Sequence, residues 1–172
     1  MDGDPLMIAY HDKEWGRPVH DDHKHFEYLV LDAFQAGLSW RTVLHKRENF
    51  RRAFSQFNPK IIAKYDERKV KKLLKDAGII RNRLKIESTI DNAKRIKIIQ
   101  KEHGSFKNWL DGHHLKSRDE WVKLFKTTFR FTGGEIVNEF LISTGYLKGA
   151  HVESCPVYKK VMKQKPKWAE RR

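Results

Sequence analysis

Cysteine is almost absent from this chain of 172 residues; Cys155 is the only one. A single thiol cannot close an internal disulfide. The cross-linked framework of a small secreted domain is therefore excluded, and a reducing, cytoplasmic setting is expected. Long apolar runs are lacking too. Nothing approaches the ~18 consecutive apolar residues of a membrane span, so no membrane partner is expected. The opening segment MDGDPLMIAYHDKEWG lacks the basic start and apolar core of a secretory signal. Neither an internal repeat nor a low-complexity linker is present. Acidic residues are in deficit: 22 Asp and Glu against 36 Lys and Arg leave a formal charge of +14. An excess of that size points to a polyanionic partner, most simply nucleic acid.

The positive charge is concentrated. Residues 1–40 hold 3 basic and 8 acidic side chains, residues 41–101 hold 19 and 6, and residues 102–172 hold 14 and 8. Lys163, Lys165, Lys167, Arg171 and Arg172 read as a frayed basic tail able to add non-specific phosphate attraction. The length suits one domain, or two interleaved subdomains around a single site. We divide the chain into residues 1–160 and a tail, 161–172.

Apolar residues recur at helical spacing almost throughout. Phe26, Leu29, Val30, Ala33 and Phe34 make one stripe over residues 22–36, closed by Gly37. Asn58-Pro59 starts a helix, and Val70, Leu73, Leu74 and Ala77 make a stripe closed by Gly78. A longer helix is predicted over residues 81–101. Ser117-Arg118-Asp119-Glu120 is a capping box opening a helix with Trp121, Leu124 and Phe125 inward. Ile136, Val137, Phe140, Leu141 and Thr144 form the last stripe, closed by Gly145. The predicted class is all-α.

Three groups of residues carry candidate chemistry. Tyr10, Trp15 and Trp40 offer flat walls for an extruded base, although for any one of them alone an ordinary core position is the better reading. On the helix wheel, Tyr28, Asp32 and Gln35 fall opposite the apolar stripe, so Asp32 faces either solvent or a second, polar cavity. His151 and Cys155 stand four apart. That spacing lets them share a metal, zinc first, or belong to a plain turn with a buried thiol. Between the last two helices, Thr132-Gly133-Gly134 gives a turn whose following helix directs free N–H groups outward; Glu135 opposes that pull on an anion.

Taken together these segments resemble the 3-methyladenine DNA glycosylase I family. The matching stretches are Asp4-Pro5-Leu6, Ile8–Gly16 (containing YHDKEWG), Phe34–Trp40 (FQAGLSW), Lys46–Phe50 (KRENF), Asp76–Asn82 (DAGIIRN) and Phe129–Cys155. The resemblance implies a helix-hairpin-helix DNA glycosylase fold, with the hairpin at Thr132, Gly133 and Gly134 contacting DNA. It implies a base pocket of Tyr10, Trp15, Asp32 and Trp40 with Met7, Gln35 and Ser39 beside it. A structural zinc on His11, His151 and Cys155 is implied as well. The implied reaction is hydrolysis of the N-glycosidic bond of 3-methyladenine in alkylated double-stranded DNA by a monomer. The sequence departs from the family pattern at several points. The pocket acid is aspartate rather than glutamate, shorter by about 1.5 Å of reach. Met7 stands where a tyrosine is common. The hairpin reads TGGE. A fourth zinc ligand, a cysteine about six residues before Asp4, has no counterpart, which leaves a water or an acid such as Asp2 to complete the set. The aspartate that other hairpin glycosylases use is absent near Lys148 and Gly149. Two competing readings remain: a non-catalytic alkylated-DNA-binding protein of the same fold, and a helical RNA-binding or scaffold protein that uses only the basic middle segment.

Overall fold

The computed structural model describes residues 3–170, and the described residues form helices and turns with no strand. Asp2, Arg171 and Arg172 lie outside the described residues. The helices are α1 (Pro5–Lys13), α2 (Asp22–Gln35), α3 (Trp40–His45), α4 (Arg47–Ala53), α5 (Pro59–Ile62), α6 (Glu67–Leu73), α7 (Arg83–His103), α8 (Phe106–Gly112), α9 (Arg118–Thr128), α10 (Gly134–Ser143) and α11 (Tyr158–Lys163). Single 3-10 turns occupy Ser55–Phe57 and Lys167–Ala169.

Local chemistry accounts for most of the starts. Asp4 accepts from the amides of Leu6 and Met7 ahead of Pro5 at the head of α1. Both halves of the Ser117–Glu120 capping box are formed, and Asn58 caps α5, which is only four residues long. The stripe expected to reach Gly78 stops being helical at Leu73. There the Asp76 carboxylate takes the Gly78 amide at 2.8 Å instead, a local side-chain bond that competes with the helix ladder.

Helix α2 departs most from its predicted character. Amphipathic in sequence, it is nevertheless central: every residue from His25 to Asp32 is buried. Helices α3, α7, α8 and α10 and the Ser55–Phe57 turn pack around it. Its polar side therefore has no solvent to face. Tyr28, 1% exposed, donates its hydroxyl to Glu14 at 3.0 Å, and Asp32 is 2% exposed. The hydrophobic core runs without a break from Tyr10 to Tyr146.

The C-terminal segment is not frayed through residue 170. Residue 161 lies inside α11, and Val161 and Pro166 are buried. The Trp168 amide donates to the Gly145 carbonyl at 3.2 Å, and Lys148 lies over the Trp168 ring. One aromatic anchor and one proline are enough to hold a basic segment that composition alone reads as loose.

Candidate active site

Three stretches far apart in sequence meet around a cavity of 410 Å³, within the range of small-molecule sites. Helix α1 supplies Met7, Tyr10 and His11, and the turn after it supplies Trp15. The end of α2 gives Gln35, the start of α3 gives Trp40, and α10 gives Glu135, Asn138 and Glu139. The Tyr10 and Trp40 rings lie 5.1 Å apart, inclined at 48°. The Trp40 indole N–H is buried and has no partner.

Each wall has a local cause. Gly37, in the left-handed region at φ +82°, turns the chain out of α2, and Ser39 caps α3 by accepting from the Thr42 amide. Trp40 thereby becomes the first residue of α3. The end of α2 is tied down from outside. The buried Lys85 ammonium donates to the carbonyls of Phe34 at 2.9 Å and Ala36 at 2.8 Å, satisfying oxygens that a helix end leaves open. Trp15 is fixed through both backbone and ring: its amide donates to the Tyr10 carbonyl and its indole Nε1–H to Glu139 Oε1 at 3.0 Å. Gly16 sits at φ +75°, and a Cβ there would stand 2.5 Å from the Ala150 side chain. Only glycine lets the 150–151 loop close against Trp15.

Asp32 does not line the aromatic cavity. It lines a neighbouring one of 360 Å³ with Ser39, Gly37 and Leu38, and the two cavities share Gln35 and Glu135. Its Oδ2 is buried with no partner. Burial, and then the charge of Glu139, push its carboxyl far above the usual carboxylate range. Burial raises Glu139 as well, partly offset by the Trp15 bond. Ser39 likewise belongs to the neighbouring cavity, its hydroxyl engaged with Thr42. Two acids of α10 border the aromatic cavity: Glu135, exposed and paired with Arg118, and the half-buried Glu139, which the sequence reading missed. Its signal was the polar face of α10, where Glu135 and Glu139 are one turn apart opposite Val137, Phe140 and Leu141; that pattern is also the pattern of a solvated face.

His11, His151 and Cys155 converge, with their ligand atoms all within 4.8 Å of one another. The Cys155 sulfur is 3.6 Å from His151 Nδ1 and 3.9 Å from His11 Nε2. Tetrahedral zinc with ordinary bond lengths separates sulfur and nitrogen ligands by about 3.6 Å. Each ring's other nitrogen is already engaged: His151 Nε2 with the Trp15 carbonyl at 2.9 Å, and His11 Nδ1 with Asp12 at 2.8 Å. Such outer partners fix the tautomer that turns a lone pair toward a metal. Burial lowers the His151 pKa, favouring the neutral ring that ligation needs. The set fits a zinc ion with one position left for another ligand.

The TGG turn is built differently from expectation. Its left-handed residue is Phe131, at φ +56°, not a glycine. Asn92 pins it by exchanging two hydrogen bonds with the Arg130 backbone, at 2.9 and 2.8 Å. The buried Thr132 hydroxyl donates to the Phe125 carbonyl at 3.1 Å and to that of Phe129 at 3.4 Å, so it is unavailable to a phosphate. Gly133 caps α10 without a side-chain bond, and a Cβ there would meet nothing within 4 Å. Glu135 is paired with Arg118 at 2.9 Å, which offsets its repulsion of an anion. Of the basic middle segment, Arg47 is spent on Glu14 and Arg51 on Glu27, whereas Lys71, Lys72 and Lys75 stay exposed. Burial raises Glu14, but Arg47 and Lys24 overcome it and hold the carboxyl at about 2. The motif segments KRENF and DAGII clasp each other, with Asn49 donating to the Gly78 carbonyl at 3.1 Å.

Together these features describe an all-helical protein with an aromatic-walled, acid-lined cavity and an exposed set of lysines. A family model described as methyladenine glycosylase matches residues 1–122. The chain belongs to the methyladenine glycosylase family. It is 40% identical over 174 residues to DNA-3-methyladenine glycosylase 1 of Escherichia coli strain K12, covering 90% of this chain and 92% of that protein. To DNA-3-methyladenine glycosylase of Haemophilus influenzae it is 36% identical over 170 residues, covering 88% and 91%. A crystal structure of 3-methyladenine DNA glycosylase I (TAG) superposes with a TM-score of 0.83 at 37% identity, covering 90% of this chain and 94% of that one. The Staphylococcus aureus enzyme, solved to explain its recognition of 3-methyladenine, gives 0.83 at 29%, covering 90% and 92%.

Proposed function

We infer that this protein is a monofunctional DNA glycosylase that hydrolyses the N-glycosidic bond of 3-methyladenine in alkylated double-stranded DNA and leaves an abasic site. The observation that carries this reading is the 410 Å³ cavity, in which three aromatic side chains and a carboxylate face one another. Methylation at N3 makes the attached purine cationic, so the bond to C1′ is already weak. Water oxygen bonds to C1′ as the C1′–N9 bond breaks. The bonding pair passes to the purine ring and neutralises it, and the water gives up its proton to solvent. The protein's task is to hold the extruded nucleotide, which costs a few kcal/mol of unstacking. Electron-rich faces of Tyr10, Trp15 and Trp40 favour a cationic ring, and carboxylates select it electrostatically. Met7 and Gln35 border the base. Exposed lysines and the amides at the start of α10, from Gly134 onward, attract backbone phosphates.

Zinc is assigned to His11, His151 and Cys155. When bound it supplies a structural cross-link and no chemistry at the sugar. Those three residues then join α1 to the 151–155 loop and brace Trp15 from behind. No helix of the described residues is long and apolar enough to cross a membrane, and the reading is of a monomer acting in the cytosol.

The test is release of free 3-methyladenine from methylated duplex DNA by the purified protein. Release above a no-enzyme control is the expected result. Binding of lesion DNA with no release identifies a non-catalytic damage binder instead, and equal affinity for lesion DNA, plain DNA and RNA identifies a general polyanion binder.

A further inference from the structure

Asp32 is set back in the neighbouring cavity. The aromatic cavity still has an acid of its own, and its placement is specific. Glu139 projects from the middle of α10 into that cavity and is half-buried. One oxygen accepts from the Trp15 indole at 3.0 Å, and this is the one protein donor found for its carboxylate among the described residues. Among the described residues no cation pairs with it: the charged group acting on it is another acid, Glu135. Two further polar atoms at the site are buried and unpartnered, the Trp40 indole N–H on the same cavity and Asp32 Oδ2 behind it. Buried polar groups left open in this way require partners from an occupant. The occupant that satisfies them presents hydrogen-bond donors toward Glu139, an acceptor toward Trp40, a partner for Asp32 Oδ2 behind, and positive charge overall.

We propose that Glu139 is a further specificity-determining residue of the pocket, beside Asp32: its free carboxylate oxygen accepts from the exocyclic amino group of an alkylated adenine and turns away alkylated guanine, whose carbonyl at the same ring position is an acceptor. The proposal rests on the glycosylase reading of this cavity. An amine facing a carboxylate makes a charge-assisted bond, whereas a carbonyl facing it leaves two acceptors opposed and one buried oxygen unsatisfied. A site built on such a polar contact discriminates far better than an apolar one. Both 3-methyladenine and 7-methylguanine are cationic in DNA, so charge alone cannot separate them; the direction of this one hydrogen bond can. Trp15 positions Glu139, because its bond fixes which oxygen is left for the base.

The experiment compares the wild-type protein with Glu139→Gln, which is isosteric, keeps an acceptor for Trp15 and can present an amide N–H. DNA treated with a methylating agent is digested, and released 3-methyladenine and 7-methylguanine are quantified. Binding of each free base is followed in parallel by quenching of tryptophan fluorescence. The expected result is a ratio of 3-methyladenine to 7-methylguanine lowered about tenfold or more, in release and in free-base affinity, with duplex affinity unchanged. A ratio within about twofold of wild type in a folded E139Q protein overturns the proposal. If E139Q fails to fold, Glu139→Ala is read the same way: loss of preference for 3-methyladenine supports the assignment, and retained preference overturns it. If the wild-type protein releases no base, the glycosylase reading fails. The free-base affinities still decide the role of Glu139, because they do not require turnover.

Discussion

Trp15 and Glu139, 124 positions apart in sequence, share one hydrogen bond of 3.0 Å between indole and carboxylate. That bond orients a wall of the cavity and its acid together. Trp15→Phe keeps a ring but removes the donor. Release of 3-methyladenine is expected to fall about tenfold, equivalent to roughly 1.4 kcal/mol of barrier, while duplex affinity holds. Combined with Glu139→Gln, the effects are expected to be clearly less than additive; full additivity in base-release rates would show that the two residues act independently.

Asp32 has a carboxyl raised by burial and by the charge of Glu139. A raised folded pKa means that ionisation opposes folding. The penalty is absent below the unfolded value near 3.8 and grows as pH rises toward the folded value. Asp32→Asn removes it. Thermal melts are expected to show the variant gaining on the wild type from pH 4 upward, with the two alike at about pH 3. A gain that is the same at every pH would contradict the burial of a titrating group.

His25 is wholly buried among Phe106, Phe140 and Tyr146, and neither ring nitrogen has a hydrogen-bond partner among the described residues. Burial lowers its pKa from 6.5 to about 4. The unfolded chain therefore takes up the proton first, and stability drains away as pH falls from 6.5 to 4, by up to about 3 kcal/mol. His25→Leu is expected to flatten that part of the denaturant-midpoint profile. An unchanged slope in urea titrations across this window would count against it.

Lys85 holds the last carbonyls of α2. Lys85→Met keeps the stem and removes both donors, leaving two oxygens short of partners. The expected loss is roughly 2–4 kcal/mol. Amide exchange should accelerate first at residues 36–40, the loop that delivers Trp40. Uniform acceleration over the whole chain would assign Lys85 to general stability alone.

Cys155→Ser removes the sulfur from the three-residue metal set. Zinc content by atomic emission is expected to fall from about one equivalent to near zero, with weaker quenching of Trp15 by bound base. A wild-type protein that copurifies without zinc, and does not take it up, would leave the cluster as a hydrogen-bonded contact.

Much of this arrangement was legible in the sequence because its causes are local. Ser117 and Glu120 announce the start of α9, and the spacing of Val137, Phe140 and Leu141 gives the buried face of α10. Tyr10, Trp15 and Trp40 stood out as aromatics amid polar residues, and the structure places them on one cavity. What was hidden depends on long-range packing. A helical wheel assigns Asp32 and Tyr28 to a polar side, but whether that side meets water is decided by α3 and α10, which lie elsewhere in the chain. Lys85 and Asn92 sit in a lysine-rich helix, and nothing nearby marks them as the pair that bind distant backbone. Glu139 escaped for the same reason: its partner, Trp15, is near the other end of the chain.

The absent side chain of Gly16 has a consequence for biosynthesis. Because the Ala150 methyl occupies that space, and because Trp15 is held by residues 139 and 151, the supports of this wall are completed only when nearly all of a growing polypeptide has left the ribosome. Any truncated translation product lacking residues beyond about 138 is without Glu139 and the bond that orients Trp15, and carries an incomplete wall.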